Sequence, residues 1–293
     1  MILLSRRMVL ASTIALAACG QKPGEAPARK PAPKAAADPR TLEGAVAGDW
    51  RLPADKARDA FRHPVESLTF WGLKPGATVV EFWPGAGWYT DILAPYLAAT
   101  GGKLYAAQQQ ITDPADTATR TVFDAYARRF SGNARLYGKI EFTVFGPTSG
   151  PVAPAGTADL VLFLRNLHNW MAAGIAEKAF RDAFLALKPG GVLGVEEHRA
   201  SPGGVPDLLA SEGYVEQAYV TKLAEEAGFT LAGESEINAN PKDTKDHPFG
   251  VWTLPPVRRT SAFGQPADPN FDRARYDAIG ESDRMTLKFV KPA

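Results

Sequence analysis

The sequence contains a single cysteine, Cys19, among its 293 residues. One thiol cannot close a disulfide within the chain or build a multi-cysteine metal site, so both are excluded. An excess of one charge is also missing, since the formal net charge is +1. Without a basic surplus, or a stripe of interleaved basic and aromatic residues, we expect no nucleic-acid partner.

Long apolar runs are equally scarce. The main one lies near the amino end, where residues 8–18 follow Arg6 and Arg7. This run is too short to span a bilayer as a stable helix, and it ends in small residues, as a cleavage site requires. No later segment is apolar enough to cross a membrane. We therefore predict a signal peptide over residues 1–18.

The end of this segment, Leu16-Ala-Ala-Cys19, resembles the lipobox of bacterial lipoproteins. The resemblance implies cleavage before Cys19 and lipidation of its thiol, so that acyl chains anchor the mature protein and no free thiol remains. It places the chain on the periplasmic side of the envelope, and Gly20 favours the outer membrane over the inner one. Ser5-Arg6-Arg7 also resembles a twin-arginine signal, which leaves both the Sec and the twin-arginine export routes open.

The remainder divides by composition. Residues 19–44 are rich in proline, alanine and lysine, which predicts a disordered tether. Residues 45–293 suffice for one large domain with its own core. Within it, residues 238–283 form a long irregular stretch, for which we predict a functional loop or a lid over the site.

Strand-like and helix-like stretches alternate along this domain, which predicts a mostly parallel sheet with helices on both faces. The predicted helices cover residues 54–70, 88–99, 115–130, 175–187 and 215–227. The predicted strands cover residues 78–83, 103–107, 140–144, 158–163, 192–196, 229–234 and 285–290.

The most informative segment is Val79-Val-Glu-Phe-Trp-Pro-Gly-Ala-Gly-Trp-Tyr-Thr90, where a buried strand runs through glycines into a helix. Glycines permit a tight turn and the close approach of a ligand at the carboxyl end of a strand. Acidic-x-x-x-Gly-x-Gly resembles motif I of class I S-adenosylmethionine (SAM)-dependent methyltransferases. Asp159–Phe163, Leu187–Leu193 and Glu225–Phe229 follow in the order of that family. The Trp-Pro-Gly-x-Gly-Trp-Tyr-Thr turn and the ending from Glu281 resemble an exported branch of predicted methyltransferases.

The resemblance implies a three-layer Rossmann-like α/β fold with a mostly parallel seven-stranded sheet, and methyl transfer from SAM to a small molecule. It places Glu81, Gly85 and Gly87 at the cofactor. Trp83 stands where the family has its first glycine, so an indole intrudes or stacks there. Gln108 stands where an acid binds the ribose hydroxyls, and a neutral amide binds hydroxyls less strongly than a carboxylate.

The loop after the fourth predicted strand supplies the remaining candidates. In the family this loop faces the substrate, which makes Asn166 and His168 catalytic candidates and Arg165 a cofactor-binding candidate. His168 is a candidate general base because imidazole titrates near working pH. A helix-capping role for His168, and surface positions for Arg165 and Asn166, stay open.

Glu196-Glu-His-Arg199 ends the fifth predicted strand at the same edge of the sheet. One histidine beside acids is poor ligand spacing, because neighbours in a strand point to opposite faces, and no metal site is predicted. We expect a polar network at the rim instead.

Export conflicts with methyl transfer, because SAM is made in the cytoplasm. Two alternatives therefore stay open beside the methyltransferase hypothesis. One is a non-catalytic lipoprotein that binds a nucleoside or another small molecule with this fold. The other is an enzyme of a different class that uses the same pocket, since a fold does not fix a function.

Overall fold

The computed structural model describes residues 37–293. The predicted signal peptide, Cys19 and most of the predicted tether lie outside the described residues. The first described helix begins at Leu42, where Thr41 caps it by accepting the Gly44 amide. Helical structure thus starts within the last residues assigned to the tether, because a capping threonine precedes a helix-forming stretch there.

Helices and strands alternate through most of the described chain, as the sequence predicts. The helices are α1 Leu42–Ala47, α2 Pro53–Lys56, α3 Asp59–Arg62, α4 Pro64–Trp71, α5 Thr90–Thr100, α6 Thr117–Ser131, α7 Ala134–Tyr137, α8 Leu167–Ala172, α9 Ala176–Ala186, α10 Gln217–Glu226 and α11 Ala274–Ile279. The strands are β1 Thr78–Phe82, β2 Lys103–Gln109, β3 Ile140–Phe145, β4 Ala158–Leu164, β5 Leu187–His198, β6 Thr230–Ser235, β7 Pro248–Val251 and β8 Arg284–Val290.

Seven of the strands form one sheet in the order β3-β2-β1-β4-β5-β8-β6. Strands β1 to β5 pair in parallel, whereas β8 runs antiparallel to both β5 and β6. The predicted mostly parallel seven-stranded sheet is confirmed. Because β8 runs the other way, its amino end lies beside the carboxyl end of β5, where His198 pairs with Arg284.

Strand β1 shows how the sheet supports a core on each face. Val80 and Phe82 pack into a cluster with Trp170 of α8 and Phe180 of α9. Val79 points the other way, into a cluster with α4, α5 and α6. Since side chains alternate along a strand, Glu81 faces the same side as Val79. The helices therefore cover both faces, as predicted.

Two local differences from the predicted elements have clear backbone causes. The single helix predicted over residues 54–70 is divided, because His63 adopts a left-handed conformation and Pro64 then starts α4. Residues 188–191, predicted to separate helix from strand, lie within the bounds of β5. They bulge out of register, since Leu187 pairs with Ala158 but Val192 pairs with Leu160.

The long stretch 238–283 contains two short elements, β7 and α11, and is otherwise irregular. It is held to the domain by buried polar groups. Asn238 donates to Ser67 and Thr286, and Asp243 accepts from Tyr214 and the Asp283 amide. Among the described residues, no helix is long and apolar enough to cross a membrane.

Candidate functional site

The glycine turn after β1 has left-handed residues at three alternate positions. Trp83 has φ +46°, Gly85 +58° and Gly87 +88°. A side chain on Gly87 would overlap the Phe130 ring of α6, so this glycine is needed for packing. A side chain on Gly85 would meet no atom within 4 Å, so Gly85 faces open space. Of the two predicted cofactor glycines, the structure leaves only Gly85 open to a ligand.

Glu81, the predicted acid of the turn, is buried below that open face. Its carboxylate accepts from Thr90 Oγ1 at 2.7 Å, and Thr90 also bonds the Tyr126 hydroxyl at 3.0 Å. Burial raises the pKa of Glu81 to about 7, against the opposing effect of the Thr90 hydrogen bond. Glu81 therefore joins the turn to α5 and α6, and it is not among the residues that line the cavity beside Gly85.

A cavity of about 260 Å³, the glycine-turn cavity, lies beside Gly85. Its walls come from the turn, the end of β2, α6 and the loop after β4: Trp83, Gly85, Gln108, Gln109, Ala118, Thr119, Val122, Phe123 and Asn166. Parallel strands bring their carboxyl ends to one edge, so β1, β2 and β4 all contribute to it. A shallower space of about 600 Å³ adjoins it and shares Gln108, Gln109 and Phe123.

Gln108 is a buried polar side chain of this cavity whose amide nitrogen lacks a partner among the described residues. It is 5% exposed, and its Nε2 makes no hydrogen bond to any described residue. A buried amide donor without a partner is costly, which marks a position where a ligand would satisfy it. The structure thus places Gln108 where the resemblance puts the ribose-binding residue.

Trp83 and Asn166 both line the glycine-turn cavity and are hydrogen-bonded to each other. The Trp83 indole donates to the Phe145 carbonyl at 2.9 Å and meets Trp170 edge-on at 5.9 Å. Its ring is thus fixed in the core with one edge on the cavity. Asn166 Nδ2 donates to the Trp83 carbonyl at 3.0 Å, which ties the loop after β4 to the glycine turn.

A second cavity of about 180 Å³, the histidine cavity, lies on the other side of that loop. It is lined by Arg62, Arg165, His168, His198, Val251, Trp252, Leu254, Pro255, Pro256, Val257, Glu281 and Ser282. Arg165, predicted at the cofactor, lies here and not in the glycine-turn cavity. Six residues between Val251 and Val257, within the long stretch 238–283, form one wall of this cavity.

His168 is held in a defined orientation at this cavity. Its Nδ1 lies 2.9 Å from Glu197 Oε1, and the Glu197 carboxylate also accepts the amides of Leu167 and His198. Because the Glu197 carboxylate accepts a hydrogen bond from each of these three groups, Nδ1 of His168 carries the proton. Nε2 of His168 is therefore the nitrogen with the free lone pair. His168 is nearly buried, with the Trp252 ring 6.0 Å away.

His198 lies next to His168, with the ring centroids 5.3 Å apart. Its Nδ1 bonds Ser282 Oγ at 2.5 Å. Burial lowers the pKa of His198 well below its usual value, and the positive charges of Arg284 and Arg165 add to this effect. His198 is therefore a neutral imidazole at physiological pH.

His168, Glu197 and His198 present ligand atoms within 4.8 Å of one another. From the sequence, only His198 was expected beside these acids. The structure corrects this expectation, because the loop after β4 brings His168 to the end of β5. The charges around the cluster nevertheless oppose a divalent cation, since the Arg165 and Arg284 guanidinium groups face it.

Arg62, Glu281 and Ser282 line the histidine cavity but were not predicted individually as site residues, whereas Trp252 belongs to the stretch predicted to close over the site. Arg62 ends α3 and donates through Nε to Glu281 at 2.9 Å, across 219 residues of sequence. The position of Glu281 and Ser282 could have been predicted from the last strand if it had been recognised as antiparallel, because that direction brings both residues to the carboxyl end of β5. Nothing in the sequence pattern pointed to Arg62.

Comparisons with known proteins concern the fold. No protein-family model matches the sequence, and no curated protein matches it significantly. Among solved structures, a candidate sarcosine dimethylglycine methyltransferase from Galdieria sulphuraria aligns with 82% of this chain and 88% of its own, at 13% identity and a TM-score of 0.52. The chain has a methyltransferase fold, the Rossmann-like arrangement predicted from the sequence.

Two further structures are similar over most of their length. A SAM-dependent methyltransferase from Aquifex aeolicus aligns at 20% identity and a TM-score of 0.48, covering 69% of this chain and 93% of its own. A possible exported protein from Bordetella parapertussis aligns at 22% identity and a TM-score of 0.45, covering 83% and 71%.

Proposed function

We propose that the protein transfers a methyl group from SAM to a small molecule. The observation that carries the proposal is the unpartnered Gln108 amide in the glycine-turn cavity. It lies at the carboxyl end of a parallel strand, beside a glycine open to the cavity, which is where this class of sheet binds nucleoside ligands.

The residues present fit such a cofactor. Gln108 Nε2 would donate to a ribose hydroxyl, and the backbone at Gly85 would allow close approach of the methionine part. The adjoining space along Gln109 and Phe123 gives room for the adenine, with Phe123 as an apolar contact. When bound, SAM would supply an electrophilic methyl group on its sulfonium sulfur. The leaving group would be S-adenosylhomocysteine, a neutral thioether.

On the substrate side, His168 is the proton acceptor. Glu197 fixes its tautomer, so that the lone pair of Nε2 is available to take the proton that the substrate nucleophile loses as it bonds to the methyl carbon. Asn166 ties the loop that carries His168 to the glycine turn through its hydrogen bond to the Trp83 carbonyl. Trp252 and the residues after it limit the access of water to the histidine cavity.

Titration calorimetry with SAM and S-adenosylhomocysteine tests the cofactor assignment. We expect both to bind, and Gln108→Ala to weaken binding about tenfold, as expected for the loss of a buried hydrogen bond. Gln265→Ala, at an exposed glutamine far along the chain, is the matched control and should leave affinity unchanged. Absence of binding at millimolar ligand would reject the methyltransferase proposal.

The non-catalytic alternative rests on the same residues, because Gln108 is neutral and Trp83 fills a position that the family gives to glycine. It is distinguished by mass spectrometry of protein purified from its native envelope. A bound nucleoside other than SAM or S-adenosylhomocysteine, with no transfer from added SAM, would favour a binding protein.

We further propose export and lipid anchoring at Cys19. Support comes from residues 1–19 alone, which lie outside the described residues. Metabolic labelling with an alkyne fatty acid should mark the wild-type protein in the membrane fraction, whereas Cys19→Ser should be unlabelled. Equal labelling of both, or labelling of neither, would reject the anchor.

A further inference from the structure

A buried ionic network borders the histidine cavity, and arginines predominate in it. The Glu281 carboxylate accepts hydrogen bonds from Arg58, Arg62 and Arg284. The Glu196 carboxylate accepts from Arg165, and Arg284 Nη1 lies 3.0 Å from it. Four guanidinium groups are thus joined to two carboxylates: Arg58, Arg62, Arg284, Arg165, Glu281 and Glu196.

Two other buried carboxyl groups close by, those of Glu197 and Glu81, form no ion pair with these arginines. Glu197 is engaged by His168 and by two backbone amides and forms no ion pair with an arginine among the described residues. Glu81 is bonded by Thr90, and because burial raises its pKa to about 7 it is only partly ionised near neutral pH. Buried charge without a counter-charge is unfavourable, so the excess favours an anion from outside.

Two of these arginines line the cavity and carry donors without a protein partner in the part of the chain that the structure describes. Arg62, which is 3% exposed, contacts Glu281 through Nε, and its two terminal nitrogens have no hydrogen-bond partner in residues 37–293. Arg165 contacts Glu196 through Nη1 only, so Nε and Nη2 are without a partner there as well. Both side chains line the histidine cavity, and a guanidinium group offers the paired donors that suit a carboxylate or phosphate.

We propose that the histidine cavity binds the anionic group of a small acid, a carboxylate or phosphate held between Arg62 and Arg165. The inference rests on the proposed function in one respect, because it makes this acid the methyl acceptor. The volume of about 180 Å³ lies below the roughly 300–1,000 Å³ of sites for drug-sized ligands, so the acid is small. The neutral His198 and Ser282 supply further polar contacts without adding charge.

Calorimetry on the full-length protein tests this with malonate and inorganic phosphate as probes, and with malonamide as the uncharged match for malonate. At least one anion should bind, and malonamide should not bind measurably under the same conditions. Arg62→Gln and Arg165→Gln should each weaken anion binding about tenfold or more. Arg181→Gln is the control, because Arg181 is an exposed arginine of α9 that lies outside this network, and it should change affinity less than threefold.

Thermal unfolding of each variant verifies folding, and the comparison of malonate with malonamide on the wild type needs no variant. Equal binding of malonate and malonamide, no binding of either anion, or anion binding that Arg165→Gln leaves unchanged would overturn the inference. S-adenosylhomocysteine is titrated into the same samples. If S-adenosylhomocysteine binds and neither anion does, the anion site alone is rejected. If an anion binds and S-adenosylhomocysteine does not, the methyltransferase proposal is rejected and the anion site is retained.

Discussion

Replacing Glu81 by glutamine should make the protein more stable at high pH. The pKa of Glu81 is raised from 4.5 to about 7 because the carboxyl group is buried, with Asp91 adding to the effect and Arg165 opposing it. A raised carboxyl pKa means that the folded state holds the proton more tightly than the unfolded state. Ionisation of Glu81 therefore lowers the free energy of unfolding very little below pH 4.5, increasingly between pH 4.5 and 7, and by its full amount above pH 7.

The size of this effect follows from the pKa shift. At 1.36 kcal/mol per pKa unit, the ionisation of Glu81 lowers the free energy of unfolding by roughly 2–3 kcal/mol between pH 5 and pH 8. Glutamine keeps the volume and an oxygen that accepts from Thr90. Glu81→Gln should thus resemble the wild type at pH 5 and exceed its free energy of unfolding by about 2 kcal/mol at pH 8.

Urea denaturation at the two pH values measures this difference, and the exposed Glu177→Gln serves as the control that should show no such gain. Asp91, whose pKa burial raises to about 6, leaves a smaller pH dependence in every variant. If Glu81→Gln is no more stable than the wild type at pH 8, the buried carboxyl does not carry the penalty described here.

Three further outcomes are expected. Gly87→Ala should lower the melting temperature far more than Gly85→Ala, because its side chain would overlap Phe130 while that of Gly85 meets open space; equal effects would contradict this assignment. Glu281→Gln should cost about 3–5 kcal/mol in urea denaturation, since it leaves buried arginines unpaired, and a loss below 1 kcal/mol would count against the network. Gln108→Glu should tighten S-adenosylhomocysteine binding about tenfold by calorimetry, because a charged acceptor bonds ribose hydroxyls more strongly; weaker binding would place the ribose elsewhere.

The sequence predicts the sheet and its site edge well, because both depend on local pattern. Apolar runs such as Val79–Phe82 define the buried strands, and the glycines after Trp83 mark the turn. The same pattern places Gln108 and the loop with Asn166 at one edge. These inferences need only the rule that parallel strands end together.

The histidine cavity could be predicted only in part, because it is assembled from distant segments. His198 meets Ser282 across 84 residues, and Arg62 meets Glu281 across 219. Such contacts depend on side-chain packing that periodicity does not encode. Gly87 illustrates the converse, since its place in the motif suggests a ligand contact but the Phe130 ring takes the space.

The most direct test of the central claim is a crystal structure of the protein with S-adenosylhomocysteine. We expect the ligand in the glycine-turn cavity, with a ribose hydroxyl within hydrogen-bond distance of Gln108 and the sulfur end near Gly85. Its sulfur should face the loop that leads to His168. Ligand bound at another place, or no ligand at millimolar concentration, would contradict the claim that this cavity serves methyl transfer.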